Sequence, residues 1–229
     1  MADFLMNGAV TNALNMASVS AEEAPRLRPY MELGRKLGAF LGQVDSSGLK
    51  TISIEFDGKA ASLNPDPVVA STVAGLLGPV MDSVNMVNAT AIAATNGISV
   101  STVRHERRCD YETLLRVTVS YTDGTRTIAG TLVGGDKSRI VEVQSIPVES
   151  NFPETLLYLR NYDKPGFIGD LGGLCGRHGI NIATFHLGRR EAGGEAIALV
   201  EIDQRIDPSV LSELRNLDQV VRADLLHFT

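Results

Sequence analysis

The chain has no tryptophan, and aromatic residues make up only 5% of it. Its core must therefore be aliphatic, and a hydrophobic content of 44% with mean hydropathy +0.05 is enough for one. Two cysteines, Cys109 and Cys175, cannot make a disulfide framework or a four-thiolate metal site. Both read as reduced thiols of a cytoplasmic protein, and a bridge between the two is the single oxidised arrangement open to them. There is no surplus of positive charge. Lys and Arg total 21 against 27 Asp and Glu, a net charge of −6, which argues against the basic stripe of a nucleic-acid binder. No apolar run approaches the ~18 residues of a membrane helix, and the first residues carry no basic n-region of a secretory signal. Tandem repeats and low-complexity tracts are absent. No G-x-G-x-x-G stands after a strand pattern, and the glycine cluster of residues 169–176 lacks the spacing. The four histidines, His105, His178, His186 and His227, lack metal-ligand spacing and read as structural; no metal site and no catalytic residue is assigned.

The 229 residues leave room for one large or two small domains. Ser20-Ala-Glu-Glu23 has the form of a capping box. Leu33, Leu37, Phe40, Leu41 and Val44 then recur at helical spacing, with Pro29 expected in the first turn. Residues 49–56 alternate as a strand. Asn64-Pro-Asp-Pro67 opens a helix, with Asp66 expected as cap and Pro67 at the first position. Residues 87–97 read as a short helix stopped by Gly97, and 98–105 as a strand. Residues 114–121 and 127–133 flank Asp123-Gly124 as a hairpin. Residues 140–146 make one further strand, and 147–153 are expected to be a linker.

The most informative stretch is 155–187. Leu157 and Leu159 alternate with Tyr158 and Arg160, as in a half-buried strand. Pro165 suits a first helical position and Gly179 a position just past a helix end. The helix between them carries Gly169, Gly172, Gly173 and Gly176, each costing about 1 kcal/mol against alanine. Four of them imply that a sheet, a second helix or a ligand approaches that backbone closely. Asn161, Asp163 and Asn181 are expected to converge around the helix start, where free N–H groups attract a carboxylate and Asp163 can take an ammonium. The same residues also serve as ordinary caps and turn residues.

Asn161-Tyr-Asp163-Lys-Pro165-Gly166 followed by Gly179-Ile-Asn181-Ile resembles the start of an ACT domain, a small amino-acid-sensing βαββαβ module. Residues 195–203, a helix opened by Asp207-Pro208, and a strand over 220–227 continue that order. Upstream, residues 28–40, Val87-Asn88-Ala89 and residues 127–132 resemble the intervening, or allosteric substrate-binding, domain of long-form D-3-phosphoglycerate dehydrogenases. The resemblance implies an α+β fold of two domains, a mixed α/β intervening domain followed by a ferredoxin-like ACT domain. It sets residues 1–19 as the exit of a nucleotide-binding domain, 20–150 as the intervening domain and 151–229 as the ACT domain.

The resemblance also implies a function. The chain would be a regulatory region that binds L-serine, or another small amino acid, as feedback effector and mediates homo-oligomerisation. The effector contacts carried over are Asn161, Asp163, Pro165, Gly166 and Asn181. NAD would belong to the parent enzyme, and no cofactor is expected in this chain. Arg104, Arg107, Lys137 and Arg139 are basic residues flanking strands, and they would present cations to a phosphorylated acid if those edges meet. Two cysteines without a cluster pattern do not fit the iron–sulfur serine dehydratase that shares related domains. The competing expectation is an assembly domain with no ligand.

Overall fold

In the computed structural model the described residues are 23–45, 48–105 and 110–228. The reading of residues 1–19, the serine of the Ser20–Glu23 capping box, Arg107 and Cys109 lie outside them. The described residues form five α-helices and ten strands in two sheets, an α+β fold. The chain divides into two compact units, Met1–Arg139 and Ile140–Thr229.

In the first unit, α1 (Ala24–Val44) buries the whole stripe Leu33, Leu37, Phe40, Leu41 and Val44. It starts earlier than expected. Pro25 occupies the first turn and Pro29 sits inside the helix, where Pro29 has no N–H to return to the preceding turn. No side-chain cap bond is made at Glu23. β1 (Thr51–Gly58) is followed by a short 3₁₀ turn, then α2 (Asp66–Leu77), α3 (Ala89–Thr95), β2 (Ser99–His105), β3 (Thr113–Tyr121) and β4 (Gly124–Val133). The cap of α2 is corrected: Asn64 Oδ1 accepts the Asp66 N–H at 3.2 Å, so Asp66 is the first helical residue.

α1 packs on β3 and β4, and α2 packs on α1. The approach of the two helices is backbone to backbone. A Cβ on Gly38 would stand 2.1 Å from the Thr72 carbonyl oxygen, one on Gly42 2.1 Å from that of Leu76, and one on Gly75 2.1 Å from that of Arg35. The Gly34-x₃-Gly38-x₃-Gly42 spacing, four residues each time, keeps these glycines on one flank of α1.

β5 (Lys137–Val143) and β6 (Ile146–Ser150) replace the single strand expected over 140–146. Gln144 and Ser145 turn the chain with φ of 53° and 60°. That two-residue left-handed turn is normally announced by Asn-Gly, and its absence concealed the hairpin. β6 also occupies much of the expected linker. The six strands are ordered β2-β1-β3-β4-β5-β6, with β1 and β2 parallel.

The second unit continues with β7 (Thr155–Tyr162), α4 (Phe167–Arg177), β8 (Ile182–Arg189), β9 (Glu195–Ile202), α5 (Pro208–Arg215) and β10 (Val220–His227). Its sheet is ordered β10-β7-β9-β8, the βαββαβ arrangement in which β8 runs parallel to β7 with β9 between them. Leu157, Leu159, Ala198 and Val200 meet Leu171, Leu174 and Leu214 of the two helices in one core. The half-buried reading of β7 is corrected. Leu156 and Tyr158, on the other face, are also buried, as are Ile197 and Leu199. β6 crosses that face, where a Cβ on Gly188 would lie 2.1 Å from the Pro147 carbonyl oxygen.

Candidate functional site

The end of β7 and the start of α4 form a polar corner. Asn161 shares the helix-facing side with Leu157 and Leu159, and it is buried. Its Nδ2 donates to the Tyr162 carbonyl oxygen at 3.0 Å, while its Oδ1 is buried without a partner. Buried polar atoms are nearly always paired, so an acceptor of this kind needs an explanation. Asp163 is held by the turn between β8 and β9. Its backbone N–H donates to the Gly194 carbonyl oxygen at 2.8 Å. Its Oδ2 accepts from Arg189 Nη1 and, at 3.1 Å, from the Gly193 N–H. The Gly193 N–H and then the Arg189 guanidinium hold the Asp163 carboxyl below its ordinary pKa. Both bonds land on Oδ2, which leaves the acceptor capacity of Oδ1 for another donor.

Pro165 and Gly166 are exposed and shape the entry to α4. The expectation of Pro165 at the first helical position is corrected: Gly166 is the N-cap, with φ of 101°, and Phe167 begins the helix. That φ favours glycine. No side chain caps this end, so the first-turn N–H groups remain available to a carboxylate. Asp170, one turn in, accepts from Gln219 Nε2 at 3.3 Å.

Asn181 is not at this corner. In the sheet register Asn161 stands level with Ala196 and Arg189, whereas Ile182 stands level with Ile202. Six residues of strand separate the two rows, about 20 Å. Asn181 is exposed there, with Nδ2 on Asp203 Oδ2 at 2.6 Å and its N–H on Gln204 Oε1 at 2.6 Å. The expected convergence of Asn161, Asp163 and Asn181 therefore does not occur within one chain, because β7 and β8 are parallel.

The basic group does not assemble either. Arg104 lies on β2 and Lys137 and Arg139 on β5, with β1, β3 and β4 between them, a separation of about 19 Å at ordinary strand spacing. Arg107 lies outside the described residues. The four helix glycines are also corrected for the single chain. A Cβ on Gly169, Gly172 or Gly176 would meet nothing within 4 Å, and one on Gly173 only the Arg177 guanidinium at 3.6 Å. Asp170 reaches Gln219 on the β10 side, so the opposite flank of α4, bearing Ile168, Gly172 and Gly176, faces toward β8. Ile168 is 58% exposed and Leu187 of β8 is 40% exposed.

Sequence reasoning missed Arg189 and Gly193, the partners of Asp163. They come from the end of β8 and the turn that follows it, 26 and 30 residues away in sequence, and no local periodicity marks them. Cys175 is a buried free thiol, and that burial pushes its pKa up. No group of His, Cys, Asp and Glu among the described residues is arranged to hold a metal. No described helix is long and apolar enough to cross a membrane.

Residues 26–144 match the family model described as the D-3-phosphoglycerate dehydrogenase intervening domain, and residues 155–219 match the ACT domain. Among curated proteins, the chain is 30% identical over 218 residues to a D-3-phosphoglycerate dehydrogenase of Bacillus subtilis (strain 168), covering 95% of this chain and 42% of that relative. It is 31% identical over 219 residues to the enzyme of the same name from Archaeoglobus fulgidus, covering 93% and 41%. Over 214 residues it is 29% identical to that of Synechocystis sp., covering 93% and 39%. The chain thus spans about two-fifths of the length of these relatives.

Proposed function

The chain belongs to the D-3-phosphoglycerate dehydrogenase intervening-domain family, with an ACT domain following, and on that premise we propose that it is an amino-acid-sensing regulatory region whose effector is L-serine. The parent enzyme would be a cytoplasmic, NAD-dependent oxidoreductase acting on 3-phosphoglycerate at the first step of L-serine biosynthesis. Hydride transfer and NAD binding fall to the remainder of such an enzyme. This chain would supply the feedback.

The observation that carries the reading is the polar corner at the start of α4. It offers an unfilled acceptor on Asn161, a free carboxylate oxygen on Asp163 and uncapped N–H groups after Gly166. These match the hydroxyl, ammonium and carboxylate of a small amino acid. Asn181 joins them through a second copy. β8 is an edge strand, and two copies paired antiparallel along it bring the start of one β8 beside the end of the other. Asn181 of one copy then approaches Arg189 and Asp163 of its neighbour. The exposed flank of Ile168, Gly172, Gly176 and Leu187 lies along the same edge and would be covered by the pairing. L-Serine bound between two copies would favour one arrangement of the assembly through differential affinity, as feedback inhibition requires.

Calorimetric titration of this chain with L-serine, glycine and D-serine tests the proposal. Saturable heat is expected with L-serine. Asp163→Ala removes a charge-assisted hydrogen bond to the ligand ammonium, and it is expected to weaken binding roughly ten- to a hundredfold. No heat and no thermal stabilisation at millimolar L-serine would leave an assembly domain without a ligand.

A further inference from the structure

The opposite edge of the ACT sheet carries a cavity of about 460 Å³ lined by Arg160, Arg215, Val221, Arg222, Ala223 and Asp224. Three guanidiniums face one carboxylate there. Arg160 of β7 and Arg222 of β10 are direct cross-strand partners, a like-charged pairing that is unfavourable by itself. Asp224 offsets it and fixes the geometry. Its Oδ2 accepts from Arg222 Nε at 2.5 Å and its Oδ1 from Arg215 Nη2 at 3.4 Å. Arg215 comes from the end of α5 and also donates its Nε to the Ala223 carbonyl oxygen at 2.8 Å. Arg160 Nη2 lies 3.4 Å from Glu195 Oε1, yet its Nε is buried without an acceptor.

We propose that this arginine cluster binds a small phosphate-bearing anion. A guanidinium presents its N–H groups in a fork that matches phosphate oxygens in pairs. A phosphomonoester carries about −1.5 to −2 charge at neutral pH and three strong acceptor oxygens. Both suit a cavity lined by three cations and a single carboxylate, with Glu195 beside Arg160 as a second nearby anion and a buried cationic N–H that lacks an acceptor. A monocarboxylate supplies only two acceptor oxygens for three guanidinium forks, where a phosphate supplies three. The cluster lies on β10, α5 and Arg160 of β7, whose side chain alternates to the opposite sheet face from Asn161, whereas the amino-acid corner lies at the start of α4, so the two sites are distinct.

The test uses the 229-residue chain with arginine labelled by ¹⁵N. Inorganic phosphate is titrated in while the Nε–H resonances are followed, with chloride and acetate at matched ionic strength as comparisons. Saturable shifts are expected at Arg160 and Arg215 with phosphate and not with chloride or acetate. Arg160→Gln is expected to weaken phosphate binding roughly tenfold or more, while Lys137→Gln leaves it unchanged. Arg160→Gln is the variant of choice because Arg215 also holds the strand edge through Ala223, and its backbone amide spectrum verifies the fold. The L-serine response of Arg160→Gln should equal that of the unaltered chain. No saturable shift with millimolar phosphate, equal shifts with chloride, or undiminished binding in Arg160→Gln would overturn the proposal.

Discussion

Asp163 accepts two hydrogen bonds on one oxygen, and the consequence is a pH dependence of known sign. The Gly193 N–H and the Arg189 guanidinium favour its charged form, so its folded-state pKa lies below the ordinary value. A depressed carboxyl stabilises the fold fully above its unfolded pKa, about 3.9, and that contribution is lost as pH falls through the folded value. Asp163→Asn is therefore expected to be less stable than the unaltered chain by a constant margin above about pH 5, with the margin shrinking below pH 4. Urea midpoints of both proteins across a pH series measure it. A margin unchanged into the acid range would mean that the carboxyl does not anchor the turn. Legibility at this scale was uneven. Asn161 and Asp163 stand out in the sequence because they flank a helix start, where caps and anion- or ammonium-binding groups both fall. Arg189 does not, since its place beside Asp163 depends on how the β8–β9 turn folds back. Arg215 and Arg222 are equally silent: charges on a short helix and an edge strand look like ordinary solvated residues until the ladder puts Arg222 opposite Arg160.

Two helices rich in glycine show how one residue type serves opposite ends. In α1 the glycines are where α2 arrives. An alanine at Gly38 would put its Cβ 2.1 Å from the Thr72 carbonyl oxygen and 2.9 Å from the Leu76 nitrogen, and these are backbone atoms that cannot turn aside. Overpacking costs about 1–3 kcal/mol, against roughly 1 kcal/mol gained in helix propensity. Gly38→Ala is thus expected to lose up to about 2 kcal/mol net. On α4, a Cβ at Gly173 meets only the flexible tip of Arg177, so Gly173→Ala is expected to gain about 0.5–1 kcal/mol. Urea unfolding of the two variants should move their midpoints in opposite directions, and a shift of the same sign in both would contradict the packing described. In the sequence the glycines of α4 are conspicuous, whereas the Gly34, Gly38 and Gly42 spacing hides behind the leucine stripe that already accounts for the periodicity of α1. Strongly periodic elements such as α1, β1, the β3–β4 hairpin and β9 were legible. The β5–β6 hairpin was not, since Gln144 and Ser145 adopt left-handed backbone conformations that their side chains do not announce.

At the scale of the molecule, the decisive fact is that β7 and β8 are parallel neighbours of β9. The two halves of the expected amino-acid site are thereby held at opposite ends of one sheet, with Asn161 and Asp163 at one and Asn181 at the other. A linear reading places all three close to α4 in sequence and cannot see which end of a strand each occupies. The sheet also treats its two edges differently. On β10, Arg215 occupies the Ala223 carbonyl oxygen, the kind of cover that discourages further strand pairing. β8 bears an exposed apolar flank instead. If the effector site is completed across β8, effector binding and pairing of copies are linked, and each strengthens the other by the same factor. Gly172→Leu discriminates. Its side chain meets nothing within the single chain at the Cβ position, so the fold should survive, but leucine on that flank holds two copies apart. The expected result is a shift toward the monomer in sedimentation equilibrium together with loss of L-serine heat, although Asn161, Asp163 and Asn181 are all unaltered. In the unsubstituted chain, saturating L-serine should tighten self-association by the factor by which association tightens L-serine binding. A Gly172→Leu monomer that binds L-serine as well as the parent chain would place the whole site within one copy and remove Asn181 from it.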